Sequence, residues 1–138
     1  MVSKDEIEEI LSQYYLIRPP AKIVLLDKPL AAYQHHELIR LRGVTPAWMR
    51  DTIVLGTDAT DETVLHETLH TMGLGELLTR PLAKILIRRY RRRKLLGQTK
   101  KRVKYRVVYG DEAKKLLEQM YIHIPEGASP VLLVLESS

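Results

Sequence analysis

The sequence predicts an α+β fold in which a small mixed sheet packs on helices. Apolar residues recur at helical spacing in four segments, short aliphatic runs lie between them, and glycine or proline separates successive segments. Helices are predicted over residues 4–15, 61–72, 76–96 and 111–121, and strands over residues 21–26, 39–42, 52–56, 103–109 and 131–135. No change of composition divides the chain, so we expect one domain spanning residues 1–138.

Composition limits the chemistry that the chain can carry. The sequence has no cysteine, so disulfides, thiolate metal sites and a cysteine nucleophile are excluded. A metal site must therefore use nitrogen and oxygen ligands. The first residues lack the pattern of a signal peptide, and no apolar run is long enough to span a bilayer. We expect a cytoplasmic protein, and the absence of asparagine with abundant charge is typical of a thermophile.

The net charge of +5 is distributed unevenly. The segment 88–106 contains 11 of the 22 lysines and arginines and no acid, which leaves 11 basic against 17 acidic residues elsewhere. Such a segment can be a solvated helix end and edge strand, or a nonspecific patch for nucleic acid or anionic lipid. The second possibility gives an alternative function: a nucleic-acid-binding or regulatory protein with a structural or vestigial metal site.

The predicted helix 61–72 carries the motif with the clearest chemistry. Residues 66–70 read HETLH and match HExxH. His66 and His70 are four residues apart, so both imidazoles lie on one face of a helix and can bind one zinc ion. Glu67 borders the same face. It is placed to act as the general base that takes a proton from a zinc-activated water.

A catalytic zinc ion usually has three protein ligands and one open position. Two acids compete for the third place. Glu76 follows His70 after a turn that Gly73 permits, and Glu112 begins the later helix 111–121.

These residues resemble those of zincin metallopeptidases. HETLHTMGLGE is similar to the metzincin motif HExxHxxGxxH/D, except that Glu76 stands where His or Asp is usual. Glu112-Ala113 resembles the start of the glutamate helix of gluzincins, although Lys114 replaces the Asp that often follows. We favour Glu112, because a glutamate ligand fits the gluzincin pattern. The chain then looks like the minimal gluzincin-like peptidases of archaea over residues 52–76 and 110–117.

The resemblance implies a zinc endopeptidase that acts on peptide or protein substrates. It also implies that the strand 52–56 forms the rim of the cleft and pairs with the substrate backbone. The terminal segment 131–135 is expected either to be an ordinary sheet strand or to cover that rim as an autoinhibitory tail. The sequence predicts no oligomeric state.

Other titratable residues are weaker candidates for metal binding or catalysis. His35 and His36 are adjacent and would point to opposite faces of a strand, so they are not expected to share a metal ion. His123 is a candidate for stabilising the oxyanion formed during attack. Four tyrosines compete for the same role, and the sequence does not choose among them: Tyr90, Tyr105, Tyr109 and Tyr121.

Overall fold

The structure is a computed structural model that describes residues 1–137, with helices and strands in a mixed order. The helices are α1 (Lys4–Leu11), α2 (Asp61–Thr71), α3 (Glu76–Leu95) and α4 (Glu112–Gln119). The strands are β1 (Lys22–Leu25), β2 (Leu30–Gln34), β3 (Glu37–Leu41), β4 (Gly43–Val44), β5 (Thr52–Leu55), β6 (Lys104–Val108), β7 (Ile122–His123) and β8 (Val131–Ser137). Across the described residues, no helix combines the length and the apolar character needed to cross a membrane.

A five-stranded mixed sheet forms the centre of the fold, in the order β4-β5-β1-β8-β6. β1 and β5 are parallel, and the other neighbouring strands are antiparallel. A second, antiparallel sheet has the order β3-β2-β7. The predicted α+β class, with small sheets packed against helices, is therefore confirmed.

Each face of the large sheet has its own core, because successive strand side chains point to opposite sides. Ile23, Ile53 and Leu133 face α1, α2 and α3. Val24 and Val54, which directly follow Ile23 in β1 and Ile53 in β5, face α4 and the small sheet. Helices α2 and α4 consequently lie on opposite faces of the sheet.

Helix α1 covers one edge of the large sheet. The buried carboxylate of Glu8 accepts a hydrogen bond from the backbone N–H of Tyr105 at 2.6 Å. The hydroxyl oxygen of Ser12 accepts from the backbone N–H groups of Arg102 at 3.1 Å and Val103 at 3.0 Å. These bonds satisfy one donor of the edge strand β6, at Tyr105, and two donors of the segment that leads into it.

Two strand assignments alter the interpretation of the sequence. β5 is wholly buried and pairs with β1 on one side and β4 on the other, so the segment 52–56 is not the rim of the cleft. The edge strand is the short β4. The terminal β8 pairs with β1 and β6 in the interior of the sheet and does not pair with that edge. The autoinhibitory tail is therefore wrong, and the ordinary sheet strand is correct.

Smaller differences arise where local signals are weak. The first predicted helix extended to residue 15, whereas α1 ends at Leu11. No helix or strand was predicted over residues 29–36, and most of them form β2, which pairs with β3 and β7. His35 and His36 form the tight turn of the β2–β3 hairpin with positive φ angles of 50° and 67°. They are exposed turn residues.

Candidate metal centre

Helix α2 places the HETLH residues in a fixed orientation. A capping box begins it: Thr60 Oγ1 accepts from the Thr63 backbone N–H, and Thr63 Oγ1 accepts from the Thr60 N–H. Buried Val64, Leu65 and Leu69 anchor the helix against the large sheet. The opposite side of the helix, which carries His66 and His70, is left partly open to solvent.

Three side-chain atoms converge above this side of α2. His66 Nε2 and His70 Nε2 are 3.1 Å apart. Glu76 Oε1 lies 2.6 Å from His70 Nε2 and 3.3 Å from His66 Nε2. Ligands about 2.0–2.1 Å from a tetrahedral zinc ion are about 3.3 Å from one another. The spacings of 3.1 and 3.3 Å are close to that value, whereas the 2.6 Å between His70 and Glu76 is a hydrogen-bond distance that would lengthen on metal binding. Two imidazoles and a carboxylate in this arrangement could hold a metal ion.

Glu76 reaches the histidines because the chain reverses immediately after α2. Gly73 adopts a φ of 89°, which favours glycine, and its N–H donates to His70 O at 2.9 Å. Helix α3 then begins at Glu76 itself. The carboxylate therefore lies at the positive end of the α3 dipole.

The two oxygens of Glu76 have different partners. Oε1 faces the histidines, and Oε2 accepts a hydrogen bond from Arg80 Nε at 3.0 Å, one turn along α3. Partial burial on its own raises the pKa of Glu76, but the hydrogen bonds with His70, Arg80 and His66 outweigh it. The pKa of Glu76 is lowered as a result, so the ionised form needed for metal binding is favoured.

A backbone carbonyl fixes the tautomer of His70. Its Nδ1 lies 2.8 Å from Leu74 O, and since a carbonyl oxygen only accepts, Nδ1–H is the donor. Nε2 of the neutral ring then carries a lone pair that faces the Glu76 carboxylate. A proton or a metal cation must lie between these atoms. Such a bond from the second ring nitrogen is typical of metal-binding histidines.

Glu67 is buried beside the three converging groups, and the residue that follows β4 contacts it. Thr45 Oγ1 lies 3.1 Å from Glu67 Oε1 and 3.0 Å from the backbone oxygen of the same residue. Burial raises the pKa of the Glu67 carboxyl, while the electrostatic interaction with His66 and the hydrogen bond from Thr45 act in the opposite direction. A base with a raised pKa is suited to proton transfer near neutral pH.

The backbone of β4 packs directly against this part of α2. A Cβ atom on Gly43 would lie 2.9 Å from Thr63 Cγ2 and 3.0 Å from Glu67 Cγ. The strand and the helix approach so closely that a side chain at this position would force Thr63 or Glu67 to shift. Gly43 therefore contributes to the position of Glu67.

A cleft of about 560 Å³ lies over the centre. β4 forms one wall, the α2–α3 turn forms the other, and the side chains of Arg50 and Arg80 also line it. Within the described sheet β4 pairs only with β5, so its second edge faces the cleft. This edge takes the place that the sequence assigned to the segment 52–56.

The structure does not bring Glu112 to the histidines. Among the described residues, the group able to hold a metal ion is His66, His70 and Glu76. Glu112 is exposed at the start of α4, on the other face of the large sheet. The structure thus favours Glu76, and the choice of Glu112 is corrected because the sheet separates the two helices.

The other residues proposed for the oxyanion do not line the cleft. Tyr90 donates to Glu9 Oε1 at 3.0 Å, and Tyr105 donates to Pro20 O at 2.6 Å. Tyr121 packs edge-on against Trp48, and His123 against Tyr33. Tyr109 is exposed and is also absent from the cleft walls. Arg80, which sequence reasoning missed, does line the cleft, and its only signal was the four-residue spacing from Glu76.

Comparison with known protein families, curated proteins and solved structures finds no match to this chain.

Proposed function

We propose that this protein is a zinc-dependent metallopeptidase of the zincin type. The observation that carries the proposal is the convergence of His66, His70 and Glu76 beside the buried carboxylate of Glu67. Two nitrogens and one oxygen with an open position are typical of catalytic rather than structural zinc sites. A base next to that position distinguishes a hydrolytic site from a site that only stores a metal ion.

Zinc bound to these three residues would supply a Lewis acid and lower the pKa of water at the open position. Glu67 accepts the proton of the attacking water and passes it to the leaving amine. Thr45 orients the Glu67 carboxylate during both transfers. Arg80 orients Glu76 and places a positive charge at the wall of the cleft, where it favours negative charge on the substrate carbonyl oxygen.

The free edge of β4 supports a peptide as the substrate. An extended chain can add to a sheet edge through main-chain hydrogen bonds. β4 is short and next to the converging side chains, so a peptide bond held there would lie close to Glu67. Because the cleft is bordered by one strand and one turn, we propose cleavage within a chain, that is, endopeptidase activity.

Metal analysis and hydrolysis of a quenched fluorescent peptide library test the proposal together. The wild type is expected to bind one zinc ion and to cleave peptides, whereas His66→Ala combined with His70→Ala loses both properties. Glu67→Gln keeps the metal and loses hydrolysis. An unchanged zinc content in the double histidine variant would sink the proposal, as would full activity of Glu67→Gln. Circular dichroism of each variant controls for folding.

A further inference from the structure

The basic segment 88–106 takes no part in the metal centre, and the structure shows which of its charges are already engaged. Arg91 forms a two-point ion pair with Asp61, at 2.7 and 2.9 Å. Arg93 donates to the backbone oxygen of Gln13 at 3.2 Å. Arg102 donates to the backbone oxygen of Tyr14 at 2.9 Å. These three arginines fasten α3 and the following loop to the rest of the fold.

Other cations of the segment face solvent. Arg92 and Lys101 are exposed and have no acidic partner within 4.0 Å among residues 1–137. Lys100 and Arg102 lie over the ring of Tyr15, at 5.2 and 4.5 Å from its centroid. The loop after α1 and the loop after α3 therefore form one corner of the molecule, which we call the basic corner (residues 13–17 and 92–102).

The basic corner also exposes large apolar side chains. Leu16 is 92% exposed and Leu95 is 88% exposed, and Tyr15 and Leu96 are also largely uncovered. A single exposed leucine is ordinary on a protein surface. Several exposed apolar side chains next to a cluster of cations are unusual, and the segment 88–106 has no acid to balance those cations. An apolar group of this size exposed to water is typical of an interaction surface.

A groove continues from this corner into the protein. It has a volume of about 470 Å³, and its walls are almost wholly apolar. Tyr15, Leu16 and Ile17 form one side, and Leu82, Leu86 and Arg89 on α3 form the other. Arg89 is its single charged lining residue, so the groove suits a hydrocarbon chain with a negative charge at one end.

We propose that the basic corner docks on an anionic lipid membrane, with Leu16 and Leu95 entering the interface and the groove receiving part of an acyl chain. Exposed leucines in the same corner as exposed lysine and arginine match the pattern of interfacial membrane binding. A nucleic acid fits less well. Tyr15 is 73% exposed, but Lys100 and Arg102 lie 5.2 and 4.5 Å from the centroid of its ring, so a stacking base would compete with both cations. Phosphate binding would also leave the leucines and the groove without a role.

Vesicle flotation of the full chain tests this docking. Binding is expected to vesicles of phosphatidylcholine with phosphatidylglycerol and not to vesicles of phosphatidylcholine alone. Replacing Arg92 and Lys101 with Gln should weaken binding about fivefold for each cation. Replacing Leu16 and Leu95 with Ser should weaken it about tenfold or more.

Matched controls lie elsewhere on the same chain. Leu77→Ser removes a leucine that is 90% exposed at the opposite end of α3, and Lys115→Gln removes an exposed lysine from α4 on the other face of the sheet. Both controls should bind anionic vesicles as the wild type does. The proposal is overturned if the protein binds neither kind of vesicle, or if the leucine variants bind anionic vesicles as the wild type does. It is also overturned if the protein binds a single-stranded oligonucleotide tightly and does not bind anionic vesicles.

Discussion

Thr45 Oγ1 lies within hydrogen-bond distance of both the Oε1 atom and the backbone oxygen of Glu67, at 3.1 and 3.0 Å. One hydroxyl, on the residue that follows β4, therefore connects the cleft wall to the carboxylate that we propose as the general base. The distance between strand and helix, and not α2 alone, sets the orientation of Glu67.

The Thr45 contact predicts the behaviour of two substitutions. Thr45→Val keeps the shape of the side chain and removes the hydroxyl, so kcat should fall about tenfold while zinc content and KM change little. Thr45→Ser restores the hydroxyl and should recover most of the activity. If the serine and valine variants lose equal activity, the hydroxyl does not position Glu67.

Substitution of Glu76 and of Glu112 tests which of the two is the third metal ligand. Glu76→Gln should lower zinc affinity by about a hundredfold or more, because even residues one step removed from a metal contribute about 10–100-fold. Glu112→Gln, on the other face of the sheet, should leave zinc affinity unchanged. Competition with a chromophoric chelator measures the zinc affinity of both variants. The reverse order would restore Glu112 as the ligand.

Gly43 should not tolerate a methyl group. Gly43→Ala places a Cβ atom about 3 Å from Thr63 and Glu67, as the close contacts at this position require. We expect a loss of about 1–3 kcal/mol in the free energy of unfolding, measured with urea, together with reduced kcat. Gly75→Ala is the control, since nothing lies within 4 Å of its added Cβ. Equal stability losses in the two variants would contradict the proposed packing.

The Asp61–Arg91 pair predicts a pH dependence of stability. The hydrogen bonds from Arg91 hold the pKa of Asp61 below its usual range, with burial acting in the opposite direction. Because the folded-state pKa is depressed, the contribution is fully present above the unfolded pKa of about 3.9 and is lost as pH falls through the folded value. Asp61→Asn should therefore cost stability near neutral pH, by about 1 kcal/mol or less for this partly exposed pair.

Thermal unfolding at a series of pH values measures this difference. The wild type and Asp61→Asn should begin to converge below about pH 4 and should become equal only when the pH is below the depressed folded-state pKa of Asp61. Arg91→Gln should behave in the same way, and the double variant should lose no more than either single one. A gap between wild type and Asp61→Asn that persists at low pH would assign the effect to a contact other than the ion pair.

The edge of the large sheet depends on Glu8. Glu8→Ala leaves the buried N–H of Tyr105 without an acceptor and should cost about 1–3 kcal/mol. Glu8→Gln keeps an acceptor oxygen and should cost less. Urea denaturation of both variants gives the comparison, and equal losses would show that the carboxylate charge, not the hydrogen bond, is responsible.

The sequence by itself determined the local elements and the first half of the site. The period of its apolar residues located α2, α3, α4 and the strands β1, β5, β6 and β8 to within a few residues. The spacing of His66 and His70 placed both rings on one face of α2, because that relationship depends only on the helical repeat. Hydrogen bonding within α2 and a strong cap make these features local.

Only the tertiary structure decided which strand borders the cleft and which glutamate meets the histidines. Strand order in a sheet depends on contacts between distant segments. The sequence therefore offered β5 as the rim and β8 as a segment that could cover it, although both lie inside the sheet. Glu76 and Glu112 both begin a helix, and only the resemblance to gluzincins favoured Glu112. The turn at Gly73 brings Glu76 to the histidines, whereas the large sheet separates Glu112 from His66 and His70.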